Sequence, residues 1–218
     1  MERDTETSEA CPIDALFDLA SSSPRILGFE GLHRAHQIDQ IAIRAGLRLP
    51  RELSLEELYA PDAGGDRARD EGPADPCFCP LPMSSDLAPV SHLREILCEA
   101  LFDDFGRPLD VDRDQGHRLN RARDGLTQAA LDYGLSPALT ALGLVVQTTR
   151  EDVTGRVASK LIPAAMGLLA DGLMTRVRRC AEPWCRAPFF DHSRNARAQF
   201  CSQLCAARVR KRRERAAA

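Results

Sequence analysis

The chain has 218 residues and a mass of 24.0 kDa, with 44% apolar residues, 28% charged residues and a net charge of −3. That suits one medium domain, or a domain with a small module, and aromatics at only 5% leave aliphatic side chains to fill the core. No stretch reaches the roughly 18 apolar residues of a membrane span, and the acidic start Met1-Glu2-Arg3-Asp4-Thr5-Glu6 is unlike a secretory leader, so the cytoplasm is the expected compartment.

Residues 1–12 are polar and read as loose. Ala15–Ala20 is a short apolar run whose period does not separate helix from strand. A turn follows at Ser21–Pro24. Leu32, Ala35, Ile38, Ala42 and Ala45 fall at helical spacing, and Gly46 ends that element. Ser54 with Glu57 has the pattern of a capping box. Residues 60–90 hold six prolines and three glycines and read as a loop insertion. Cys77 and Cys79 lie inside it without a second pair, so they read as free thiols. Ser91 is expected to cap a helix with Leu93, Ile96, Leu97, Ala100 and Leu101 on its apolar stripe, and Cys98 is expected to be buried. Leu119, Ala122, Leu126, Ala130 and Tyr133 line a second helix that ends at Gly134. Leu142–Thr149 is β-branched near its end and reads as a strand. A last helix is expected from about Asp152 toward Arg176, kinked or restarted at Pro163.

The five histidines have no evident ligand partners and read as ordinary surface or core residues. Asp103-Asp104 and Asp110, Asp112, Asp114 lack the glycine and closing glutamate of a calcium loop and read as solvated acidic turns. There is no Gly-rich phosphate loop and no nucleophile motif. The expectation is that the chain is not an enzyme.

The last 44 residues differ in kind. Residues 175–218 carry 12 Lys and Arg against three acids (Glu182, Asp191 and Glu214), a net of +9, so residues 1–174 carry −12. An acidic body with a basic tail points to a polyanionic partner. Arg outnumbers Lys 27 to 2, which suits phosphate forks but also fits a GC-rich coding bias.

Four of the eight cysteines fall in this tail, as Cys180-x4-Cys185-x15-Cys201-x3-Cys205. Two close pairs with a medium spacer are what a tetrahedral metal site needs, and without a secretion signal a disulfide framework is not expected. The ligand set is complete at four thiolates, so one Zn2+ in a structural role is expected. Arg178, Arg179, Arg186, Arg197 and Arg208 flank the ligands and offset their charge. Phe189, Phe190 and Phe200, with Trp184 beside them, are expected to form the apolar cover of a module too small to fold without metal. From Ser202 the sequence reads as a helix that carries Arg208, Arg210, Lys211, Arg212, Arg213 and Arg215. Arg208, Arg212 and Arg215 share one face. With Ser193, Arg194 and Arg197 on the loop between the cysteine pairs, these are the candidate nucleic-acid contacts.

The matching residues are Arg179-Cys180-Ala181-Glu182-Pro183-Trp184-Cys185, then Phe190-Asp191-His192-Ser193-Arg194-Asn195, Phe200-Cys201-Ser202 and Cys205-Ala206-Ala207-Arg208. This stretch resembles the CGNR zinc-finger family. The family's Cys-Gly-Asn-Arg tetrad stands here as Cys205-Ala206-Ala207-Arg208, and three residues separate the last cysteine pair where common members have four. The resemblance implies a mainly α protein with a small β element: a helical N-terminal regulatory domain (1–174), then a treble-clef-like finger with a basic C-terminal helix (175–218). It also implies a DNA-binding regulator. With the charge segregation, the first reading is a bacterial-type transcription regulator that binds double-stranded DNA, its acidic body sensing a small-molecule effector or forming a homodimer. Two alternatives are a zinc-stapled interaction module whose tail binds an acidic protein surface, its own body included, and an RNA-binding protein. RNA binding is disfavoured because the phenylalanines are needed as core, leaving no exposed stacking platform.

Overall fold

The computed structural model describes residues 10–27, 30–47, 80–103, 106–110, 116–140 and 143–216. The pattern at Ser54 and Glu57, the thiols of Cys77 and Cys79, Asp104, Asp112 and Asp114 lie outside the described residues, as do residues 60–79 of the proposed insertion.

The fold is mainly helical, with two small antiparallel hairpins. In the body, α1 spans Pro12–Ser21, α2 Pro24–Leu27, α3 Ala35–Arg44, α4 Leu87–Leu101 and α5 His117–Asp132. The hairpin β1 (Leu135–Thr140) and β2 (Gly143–Thr148) follows, then α6 (Val153–Ala170). The C-terminal module holds β3 (Val177–Arg179), β4 (Pro188–Phe190) and α7 (Gln203–Ala216).

The undecided run at 15–20 is helix α1. Ala15, Leu16, Phe17, Leu19 and Ala20 are all buried, because α1 is covered on several sides, by α3, α4, α6 and β4. A helix packed from several directions loses the one-sided stripe that identifies a surface helix, which explains the ambiguous period. The centre of the core is α6. Its N-cap Asp152 accepts a hydrogen bond from Gly155 N at 2.7 Å, and Val157, Leu161, Ile162, Ala165 and Leu168 are fully buried against α1, α4 and α5. Pro163 gives up one helical hydrogen bond, yet helix continues on both sides of it. This helix ends at Ala170, six residues short of the expectation. Gly172 then adopts a left-handed φ of +67°, and a short 3-10 turn at Leu173–Arg176 leads into β3.

Three other boundaries differ from the sequence reading. Helix α4 begins at Leu87 behind a 3-10 turn at Ser84–Asp86, so Ser91 lies inside the helix and is not its cap. Pro89 is tolerated there because the first-turn amide it lacks has no helical acceptor. The insertion therefore stops before residue 84. The expected strand is β2, and it pairs with β1, which the sequence did not suggest; the register runs from Leu135↔Thr148 to Thr140↔Gly143. Gly134 makes the junction possible. Its φ is +59°, and a Cβ there would collide with Thr149.

One buried polar group braces the body. The Arg94 side chain is only 2% exposed and meets Glu30 through two hydrogen bonds, at 2.5 and 2.8 Å, and Glu95 at 2.9 Å. These bonds hold the Glu30 carboxyl down at about 2. Cys98 is buried as expected, and burial pushes its thiol up to about 12. No helix among the described residues is long and apolar enough to cross a membrane.

Candidate metal centre and basic helix

The two cysteine pairs are brought together by separate local devices. Strand β3 delivers Cys180, whose N–H donates to Ala187 O at 2.9 Å. The chain then turns tightly, with the Cys185 and Arg186 amides both donating to Glu182 O. Arg186 closes this turn at φ +51°, a left-handed conformation usually left to glycine. Its carbonyl accepts from Arg179 Nε at 3.1 Å. Cys201 precedes α7, and Cys205 lies in its first turn. Ser202 Oγ accepts from Cys205 N at 3.3 Å, as an N-capping hydroxyl does.

The four sulfur atoms lie within 4.8 Å of one another, and Sγ of Cys201 is 3.7 Å from both Cys185 and Cys205. A regular tetrahedron with Zn–S bonds of about 2.3 Å has sulfur–sulfur edges of about 3.8 Å. The spacing therefore fits Zn2+. Burial, together with the neighbouring thiols of Cys185 and Cys205, holds the Cys201 thiol far above its ordinary value, and burial raises Cys185 as well. Burial alone would also raise Cys205, but hydrogen bonds from Ser202 and the neighbouring thiols outweigh it and bring that group down. Four such groups this close cannot ionise together without a cation, and a bound metal supplies it.

Residues 176–218 match the CGNR zinc finger. No curated protein matches the chain. The finger holds one structural zinc through Cys180, Cys185, Cys201 and Cys205. All four positions around the ion are taken by protein thiolates, and its task is to fix the finger's shape.

Two acids hold the finger's loops, and neither was singled out from the sequence. Asp191 is 1% exposed. It accepts the amides of Ser193 at 2.9 Å and Ala198 at 2.7 Å, and Arg178 approaches it at 3.6 Å. Hydrogen bonds from Ser193, then from the Ala198 amide, lower its carboxyl. Glu182, also 1% exposed, is met by Arg212 of α7, and that contact holds its carboxyl below the usual range. The signal was available: these are two of only three acids in a strongly basic segment.

The expected nucleic-acid contacts divide accordingly. Arg208, Arg210, Lys211, Arg213 and Arg215 are exposed on α7, whereas Arg212 is turned onto Glu182. Arg194 and Arg197 are exposed on the loop, and Ser193 is spent within it, its Oγ accepting the Arg197 amide at 3.3 Å. Of the arginines expected to offset the thiolates, Arg178 serves Asp191 and the carbonyl of Ala196, and Arg179 serves the carbonyl of Arg186. The apolar cover also needs correction. Phe190 packs on the core of the body, and Trp184 is 85% exposed.

The finger is seated on the body. Met174 and Val177 belong to the same buried cluster as the helices, and β4 lies against α1. His192 Nε2 is 2.8 Å from Asp14 Oδ1, with the Cys11 thiol in the same group of donor atoms, so this histidine does have partners, contrary to expectation. They come from residues 178 or more positions away and could not be seen locally.

Proposed function

We propose that this chain is a DNA-binding transcription regulator of the cytoplasm, with α7 as the element that meets double-stranded DNA. The observation that carries this reading is the presentation of α7. A zinc-anchored base projects a 14-residue helix bearing Arg208, Arg210, Lys211, Arg213 and Arg215 at its surface. Cations all round a helix suit a phosphate backbone better than an apolar groove. The acid that α7 meets is Glu182, inside the finger, which favours an external polyanion over the acidic body as its partner. The same reading gives the helical body the tasks of sensing a small molecule or pairing with a second copy. Zinc has no catalytic part in it.

The test is duplex-DNA binding across a salt series by the full chain and by an R210Q/K211Q/R213Q variant with unchanged zinc content. Tight binding that falls steeply with salt, with a shallower slope in the variant, is expected. Absence of binding by the full chain overturns the reading.

A further inference from the structure

Between the first zinc turn and α7 lies an open notch of about 360 Å³, lined by Glu182, Trp184, Arg208, Lys211, Arg212 and Arg215. Trp184 stands at its edge, 85% exposed. Its backbone is fixed from both sides: its N–H donates to Glu182 Oε1 at 3.3 Å, and the next residue is the metal ligand Cys185. Neither metal binding nor core packing calls for an indole here. Glu182 is the one acid of the notch, and Arg212 neutralises it. Arg208, Lys211 and Arg215 therefore leave the notch with three cations. They share one face of α7, and seven residues of helix from Arg208 to Arg215 span about 10 Å. An uncovered aromatic plane carried on a fixed backbone beside a row of cations is complementary to a nucleobase attached to its phosphates.

We propose that this notch is a stacking site for an unpaired nucleobase, with Trp184 against the base and Arg208, Lys211 and Arg215 on the flanking phosphates. The proposal rests on the nucleic-acid reading above and narrows its ligand. A base inside closed duplex is already stacked on both sides and offers no face, so the notch favours single-stranded or locally opened nucleic acid.

Trp184 is the only tryptophan of the chain, so emission excited at the red edge of indole absorption, clear of the two tyrosines, reports this notch alone. The zinc-loaded full chain is titrated with an oligothymidylate, an oligouridylate and an oligodeoxyuridylate of equal length, and a closed duplex. Binding is followed in parallel by anisotropy of labelled strands and by tryptophan emission with acrylamide quenching. The single strands are expected to quench the emission with the same midpoint as the anisotropy, and to shield the indole from acrylamide. Tighter binding of the oligouridylate than of the oligodeoxyuridylate, by both readouts, would support the site and assign it to RNA. W184A should weaken single-strand binding about ten- to a hundred-fold, with W184F recovering part of the loss and duplex binding unchanged. Saturation in anisotropy with emission and acrylamide access unmoved overturns the stacking site and leaves nucleic-acid binding standing. No anisotropy change with any of the four overturns both.

Discussion

The contact between Arg212 and Glu182 makes a quantitative prediction about DNA binding. By helical spacing alone, Arg208, Arg212 and Arg215 are equivalent. Each phosphate neutralised by a side chain contributes about 0.9 to the slope of log affinity against log salt, so removing three equivalent arginines flattens it by about 2.7. Arg212, however, already faces a carboxylate that is 1% exposed, and that contact keeps Glu182 ionised below the usual carboxylate range. The R208A/R212A/R215A variant should therefore lose only about 1.8 units of slope. R208A and R215A alone should each lose about 0.9, and E182Q/R212Q close to nothing. Between 50 and 200 mM salt, 1.8 units is about a 12-fold difference in how far affinity falls. The assay is anisotropy of a labelled duplex across a KCl series, with zinc content and circular dichroism checked for every variant. If E182Q/R212Q flattens the slope as much as R208A does, with zinc and fold intact, the assignment of Arg212 to Glu182 rather than to phosphate is wrong.

Three further outcomes concern the fold. C201S should lower bound zinc from one equivalent to near zero and disorder the module, and because β4 lies on α1 the body's melting temperature should fall as well; unchanged zinc in a chelator assay refutes the ligand set. Glu30 is held at about 2, below its ordinary 4.5, so the contribution of its pair with Arg94 is complete above pH 4.5 and is lost as pH falls toward 2. Glu30 is 40% exposed, which screens the effect to about 1–2 kcal/mol. E30Q should show that loss at neutral pH in urea melts and a flatter acid limb; an acid limb parallel to the parent's counts against the pair. L161A empties a fully buried position at the centre of α6 and should cost about 2–5 kcal/mol in the same melts, a loss under 1 kcal/mol showing that α6 is less central than it looks.

The metal site was legible because its information is local. Cysteine identity and spacing set both the ion and its ligands, and Ser202 marks where the last helix starts. Helices α4 and α5 were legible for a similar reason: one face is dry, and Leu93, Leu97 and Leu101, or Leu119 and Leu126, record it in the sequence. What failed depended on distant partners. Strand β1 contains Pro137 and exists through its pairing with β2, across a register no local pattern encodes. Trp184 and Phe190 were both assigned to the finger's cover, since aromatics in a small module default to its core. The body instead takes Phe190 as part of its own core, and Trp184 is left outside. Glu182 and Asp191 were counted only as charge, because acids default to solvent. Their burial follows from amides and guanidinium groups that converge on them after folding.

The seating of β4 on α1 has a mechanical consequence. A finger on a free tether would sample every orientation, and nothing that happened in the helical body would be felt at its tip. Here the root of α7 is coupled through the metal to β3 and β4, and through them to the first helix of the body. The 14 residues of α7 form a rod about 21 Å long. A tilt of about 10° where β4 meets α1 would carry the far end sideways by about 4 Å, comparable to one nucleotide step along a strand. On the proposed DNA-binding reading the finger is a lever whose fulcrum lies in the body, and a small rearrangement there would change which phosphates Arg213 and Arg215 reach.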